Sequence, residues 1–160
     1  MSLLAFLGLS TSSAIEVGAP APAPGALDEN VQTVQFAEVY QRGVTLVYFY
    51  PKAGTPGCTA QACSLRDSFA GLKARGVQVL GVSGDKPEAQ RKFREKHQLP
   101  FTLIADADGI VARAFGAPSF LGFTKRQSFL VKDGKIVWRD LSVSPKTHVA
   151  SVNAALDTLK

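Results

Sequence analysis

With 160 residues, the chain suits one ordinary domain, since two separate domains would each bury little core. Hydrophobic residues make up 46% and charged residues 19%, with Phe 10, which excludes a disordered or low-complexity chain. The net charge of +5, from 18 basic against 13 acidic residues, is scattered and not gathered into a run, so it reads as solubility and mild anion attraction, not as a nucleic-acid interface.

The N-terminus begins with a short apolar run, Leu3 to Leu9, followed by small or polar residues from Ser10 to Ala14. Ser12-Ser13-Ala14 resembles a signal cleavage site, although a basic leader region is missing, so both a cytoplasmic and an exported location fit. No stretch is long enough to span a bilayer. Pro20, Pro22 and Pro24 mark an extended segment on the domain surface. Residues 1–29 are therefore expected to form an N-terminal arm, and residues 30–160 a single domain. An additional strand pair is expected around Asn30 to Tyr40.

Val44 to Tyr50 is a β-branched and aromatic run ended by Pro51, the pattern of a buried central strand. Cys58, Ala62, Leu65, Phe69 and Leu72 then recur on one helical stripe. Val77 to Val82 predicts a second strand, and Ala89 with Phe93 a helix beginning near Pro87. Phe101 to Ile104 predicts a third strand, and Ile110, Ala114 and Phe115 a short helix. Gln127 to Val131 and Lys135 to Trp138 flank Asp133-Gly134, a strong hairpin signal. Val149, Val152, Leu156 and Leu159 give a C-terminal helix. This order, β-α-β-α-β-α-β-β-α, implies an α/β fold: a mainly parallel central sheet, helices on both faces and a closing β-hairpin. It is the order of a thioredoxin-like fold with one extra helix before the hairpin.

The chemistry concentrates between Tyr48 and Cys63. Thr55 suits a helix N-cap and Pro56 the first helical position, which places Cys58 in the first turn. Free backbone amides and the positive end of the helix dipole favour a thiolate there, and the thiolate is the reactive form of cysteine. The plainer reading, a small buried hydrophobe on the core stripe, is the commoner fate of a single cysteine. The cap, the helix start and the second cysteine, Cys63, weigh against it. Cys63 could equally be an inert, half-exposed helix residue. Two cysteines exclude a disulfide-dense scaffold and a four-cysteine zinc site. His97 and His148 lie far apart in sequence, so no metal cluster is expected.

Pro51-x-x-x-Thr55-x-x-Cys58 resembles the peroxiredoxin active-site signature. The fuller match is similar to the peroxiredoxin Q (bacterioferritin comigratory protein) subfamily. It includes Tyr48 to Pro51, Thr55 to Thr59, Cys63, Arg66 and Asp67. It continues through Gly81-Val82-Ser83-Gly84-Asp85, Leu99-Pro100-Phe101 and Arg126 to Leu130, so it covers roughly residues 44–160. The resemblance implies a thiol peroxidase acting on hydrogen peroxide or an organic hydroperoxide, with no metal, flavin or nicotinamide cofactor. It implies that Cys58 is the peroxidatic and Cys63 the resolving cysteine, joined in an intrachain disulfide. A thioredoxin-type dithiol or another thiol would recycle the enzyme. Thr55 would orient the peroxide, Pro51 would shield the thiolate, and Arg126 would stabilise thiolate and developing charge. Arg126 also has the plainer reading of a solvated strand-end charge. A monomer is expected, because a resolving cysteine on the same helix removes the chemical need for a dimer. Gln61 departs from the pattern, standing where the subfamily usually has Glu.

Two other functions share these features. A thioredoxin-like disulfide oxidoreductase would have the same fold, but usually carries Cys-x-x-Cys, and Gln61 occupies the second cysteine's place. A non-enzymatic redox sensor could use the same cysteine pair, and would differ in not turning over with a reductant.

Overall fold

The computed structural model describes residues 13–159. The signal-like stretch Leu3 to Ser12 lies outside them. The core of the fold is strand β3 (Thr45–Phe49), every residue of which is buried. Its side chains alternate between two faces, as a pleated strand requires. Leu46 and Tyr48 point into one apolar cluster and Val47 and Phe49 into the other.

Numbered along the chain, the elements before β3 are β1 (Gly25–Leu27), β2 (Thr33–Gln35) and α1 (Phe36–Gln41). After it come α2 (Pro56–Ala74), β4 (Gln78–Ser83), α3 (Pro87–His97), β5 (Thr102–Ala105) and α4 (Ile110–Phe115). The last are β6 (Ser119–Phe120), β7 (Phe123–Thr124), β8 (Gln127–Lys132), β9 (Lys135–Asp140) and α5 (His148–Asp157). The main sheet runs β5-β4-β3-β8-β9. β3 pairs parallel to β4, and β4 parallel to β5. β8 pairs antiparallel both to β3 and to β9. The hairpin therefore does more than add an outer edge: its first strand lies against the central strand. The thioredoxin-like order expected from the sequence is present, with the sheet mixed in direction.

Helices cover both faces, each for a reason visible in its buried stripe. Leu65 and Leu72 of α2, Phe93 of α3 and Val152 and Leu156 of α5 join the Tyr48 cluster. Phe36 and Val39 of α1 and Val111 and Phe115 of α4 join the Phe49 cluster. The turn between β8 and β9 has φ of 51° at Asp133 and 73° at Gly134, the left-handed pair that a tight hairpin requires.

The N-terminal region differs from expectation in detail. A strand pair exists, but it joins Gly25–Leu27 to Thr33–Gln35, and Phe36–Gln41 is a helix. The β-branched signal ends at Val34. From there Phe36 and Val39 are buried at helical spacing, 0% and 7% exposed, so packing of one helical face decides the conformation. The short hairpin β6–β7 was also not expected. Its turn, Leu121-Gly122, again carries two positive φ values, 51° and 81°. The Pro-rich segment expected as a surface arm lies along the outer strand β9. Gly18 N donates to Ile136 O at 2.8 Å, Ile136 N to Ala19 O at 3.0 Å and Ala21 N to Gly134 O at 2.8 Å. An otherwise open sheet edge is covered in this way.

Candidate active site

β3 ends beside Tyr50 and Pro51, and the loop to α2 is held from the neighbouring strand. Asp85, just beyond β4, accepts a hydrogen bond from Ala53 N at 2.8 Å and from Ser83 Oγ at 2.6 Å. Gly81 on β4 makes room for Tyr48: a Cβ there would stand 2.9 Å from the tyrosine ring. The Gly81-to-Asp85 motif thus has a local physical role, seating the ring and tethering the loop.

α2 starts at Pro56, with Thr55 as its N-cap residue in extended conformation. The Thr55 side chain does not cap the helix. Its hydroxyl donates back to Lys52 O at 2.8 Å, closing the loop on itself. Cys58 occupies the third helical position and is 1% exposed. Cys63 lies on the same helix, half-buried, and both thiols are free. Pro51 is half-buried at the exit of β3.

Arg126, just before β8, reaches this helix start. A Cβ on Gly57 would stand 3.2 Å from its Nη2, which leaves little room for a side chain beside Cys58. Its Nη1 donates to Gln61 Oε1 at 2.6 Å. A guanidinium can only donate, so the oxygen of the Gln61 amide must face it and the amide nitrogen must face away. That nitrogen lies 3.0 Å from His148 Nδ1. Nδ1 therefore accepts, and a neutral ring carries its proton on Nε2, which lies 2.6 Å from Ser128 Oγ. The result is a directed chain, Arg126 to Gln61 to His148 to Ser128. Gln61, His148 and Ser128 are all buried. The His148 pKa is lowered to about 4, chiefly by burial; Asp140 acts to raise it and Arg126 to lower it. The ring is neutral at neutral pH. Burial likewise pushes the Tyr48 phenol well above its ordinary range, and Arg126 pulls it the other way.

Of the residues named from the sequence, Thr55, Cys58 and Arg126 meet at the first turn of α2, Pro51 precedes that turn in the loop, and Cys63 lies further along the same helix. Sequence reasoning did not find His148 or Ser128, and met Gln61 only as a departure from a pattern. Two signals pointed to them: a histidine at the head of an amphipathic helix, and a serine inside an otherwise apolar strand. Among the described residues no group of His, Cys, Asp and Glu could hold a metal ion.

Comparison with known proteins fits this geometry. A family model described as AhpC/TSA family matches residues 17–139. The chain is 47% identical over 130 residues to the peroxiredoxin Bcp of Escherichia coli, covering 76% of this chain and 83% of the relative. It is 38% identical over 157 residues to the peroxiredoxin Bcp of Bacillus subtilis, covering 91% and 96%. The crystal structure of peroxidoxin BcpB from Mycobacterium tuberculosis superposes with a TM-score of 0.86 at 28% identity, covering 91% of this chain and 99% of the other. A buried cysteine in the first turn of a helix, an arginine brought to that turn and this degree of likeness lead to one assignment: the chain belongs to the AhpC/TSA family, in its Bcp/peroxiredoxin Q subfamily.

Proposed function

We propose that the chain is a thiol peroxidase in which Cys58 attacks the hydroperoxide. The observation that carries this reading is the buried Cys58 in the first turn of α2, with the Arg126 guanidinium packed against Gly57 of that turn. Peroxide reduction needs a nucleophile, a polarised O–O bond and a proton for the leaving oxygen. The Cys58 thiolate forms a bond to one peroxide oxygen as the O–O bond breaks. The thiolate becomes a sulfenic acid, and the other oxygen leaves, with a proton, as water or an alcohol. Negative charge spreads over both oxygens in the transition state, where a cation and fixed donors stabilise it most. In this reading Arg126 supplies the cation. The Thr55 proton is engaged by Lys52 O, so its oxygen is left to accept a hydrogen bond from the peroxide. Pro51 shields the thiolate from bulk water. Exposed Phe120 and Phe123 line a shallow groove with Pro51 and Pro118, which suits the alkyl part of an organic hydroperoxide.

Cys63 then condenses with the sulfenic acid: an S–S bond forms, the S–O bond breaks and water leaves. A dithiol reductant of the thioredoxin type restores both thiols and is itself oxidised. The cycle needs one chain only, so a monomer suffices. The test is peroxide consumption by the purified protein with thioredoxin and its reductase as electron source. Sustained turnover is expected; a protein that consumes neither hydrogen peroxide nor an alkyl hydroperoxide would refute the reading.

A further inference from the structure

Gln61 is the pivot of the buried chain, and an amide is nearly the same shape after a half-turn about its last bond. The flipped amide would aim its NH2 at the Arg126 guanidinium, donor against donor. What holds it the right way round on the far side is an acceptor facing its nitrogen. His148 Nδ1 is that acceptor, 3.0 Å away. We propose that His148 is a positioning residue: by accepting from Gln61 through Nδ1, it orients the amide that holds Arg126 at the first turn of α2. The proposal rests on the reading of Cys58 as the reacting thiol.

Each neighbour of the ring is consistent with this role. Ser128 Oγ, from β8, lies 2.6 Å from Nε2 and accepts a hydrogen bond from its N–H. The Tyr48 ring, from β3, lies tilted against the imidazole with centroids 5.8 Å apart. Asp140, at the end of β9, is the one carboxylate among the described residues that acts on the ring, and it favours a cation. Burial and Arg126 both oppose a cation, and burial is the largest influence. His148 is also the first residue of α5, where the positive end of the helix dipole opposes protonation. A protonated ring would turn Nδ1 into a donor, force the amide to flip and release Arg126. The subfamily's usual Glu at this place would demand the opposite arrangement. A carboxylate accepts from Arg126 and also needs a donor at Nδ1. Gln61 therefore dictates the Nε2-protonated tautomer in this chain.

Two measurements on the full, reduced chain test the inference. The first is the bimolecular rate of Cys58 oxidation by hydrogen peroxide in wild type, His148→Leu and His148→Gln. Leu offers no acceptor, and its rate is expected to fall about tenfold, the effect of one buried hydrogen bond. The carbonyl of Gln can accept where Nδ1 did, and its rate is expected to stay within about threefold of wild type. Equal rates in wild type and the Leu variant would overturn the proposal. So would equal losses in both variants, which would reduce His148 to packing. The second is the 15N spectrum of the His148 ring at neutral pH. Wild type should show bare Nδ1 and protonated Nε2, and Gln61→Glu should place a proton on Nδ1. A protonated Nδ1 in wild type would overturn the proposal even if the Leu variant failed to fold. A wild-type protein that does not react with peroxide would instead refute the reading of Cys58. The ring spectrum would still decide the hydrogen-bond chain.

Discussion

Cys58 and Cys63 lie five residues apart on one continuous helix, the first buried and the second half-exposed. At that spacing an α-helix holds Cα atoms roughly 8.5 Å apart, with side chains about 140° apart around its axis. A disulfide needs Cα atoms within about 7 Å and converging Cβ vectors. The two sulfurs therefore cannot bond while α2 keeps this form. Gln61 lies between them, so unwinding that joins the cysteines also withdraws the amide from Arg126 and His148.

Oxidation is accordingly expected to melt the start of α2. Amide hydrogen exchange over residues 57–65 should accelerate in the oxidised protein, and a non-reducing gel should show a single-chain species. Gly57, Thr59, Ala60 and Ala62 put little side-chain bulk in the way of the rearrangement. Unchanged protection in that segment, or a bond found only between chains, would rule out the intrachain route.

The two cysteines should separate cleanly by substitution. Cys58→Ser is expected to lose peroxide reduction. Cys63→Ser should still consume about one equivalent per chain, because only the second step is lost. Rapid-quench measurement of peroxide against protein concentration decides between them. Identical single-turnover losses in both variants would overturn the assigned roles.

Arg126→Ala is expected to slow the first step on the order of 10²-fold, the effect of removing one fixed donor from a developing oxyanion. Arg126→Lys keeps a charge but loses the planar fork that reaches Gly57 and Gln61 together, so it should recover only part of the rate. Stopped-flow measurement of peroxide reaction in both variants checks this. A rate unaffected in Arg126→Ala would make the residue a surface charge.

Stability should fall with acid in a window set by His148. Its pKa is about 4 in the fold against an ordinary 6.5. Above about pH 6.5 the ring is neutral in both folded and unfolded chains, and its titration has no effect. Between that pH and about 4 the unfolded chain binds a proton that the native state refuses, so stability declines as pH falls. Below about 4 both bind it and this loss stops growing, having reached on the order of 3 kcal/mol. Urea unfolding at several pH values should show a shallower decline in His148→Gln than in wild type. Parallel curves would mean that the ring does not titrate this way.

The features legible in the sequence are those set within a few residues. Thr55-Pro56 marks a helix start, and with it the position of Cys58, because capping and the fixed φ of proline are local. Asp133-Gly134 marks a hairpin because both residues tolerate positive φ. The buried run through β3 announces a central strand, since only a strand covered on both faces is apolar without alternation. The same local reading placed a strand pair near Asn30 to Tyr40 but missed that Phe36 and Val39 turn the chain into α1, a choice made by the core they enter.

Tertiary structure decided what surrounds Cys58. Gln61 and Arg126 are 65 residues apart in the chain, and Gln61 and His148 are 87 apart. They meet because β8 pairs with β3 and α5 packs on the same face of the sheet as α2. No periodicity or capping rule encodes such a meeting, and neither does it encode which nitrogen of His148 holds the proton. That follows from a guanidinium that can only donate, an amide it orients and a buried ring left with one place to accept. The nucleophile's position is a property of one short segment of sequence, whereas the polar chain behind it exists only once the sheet and its helices have closed.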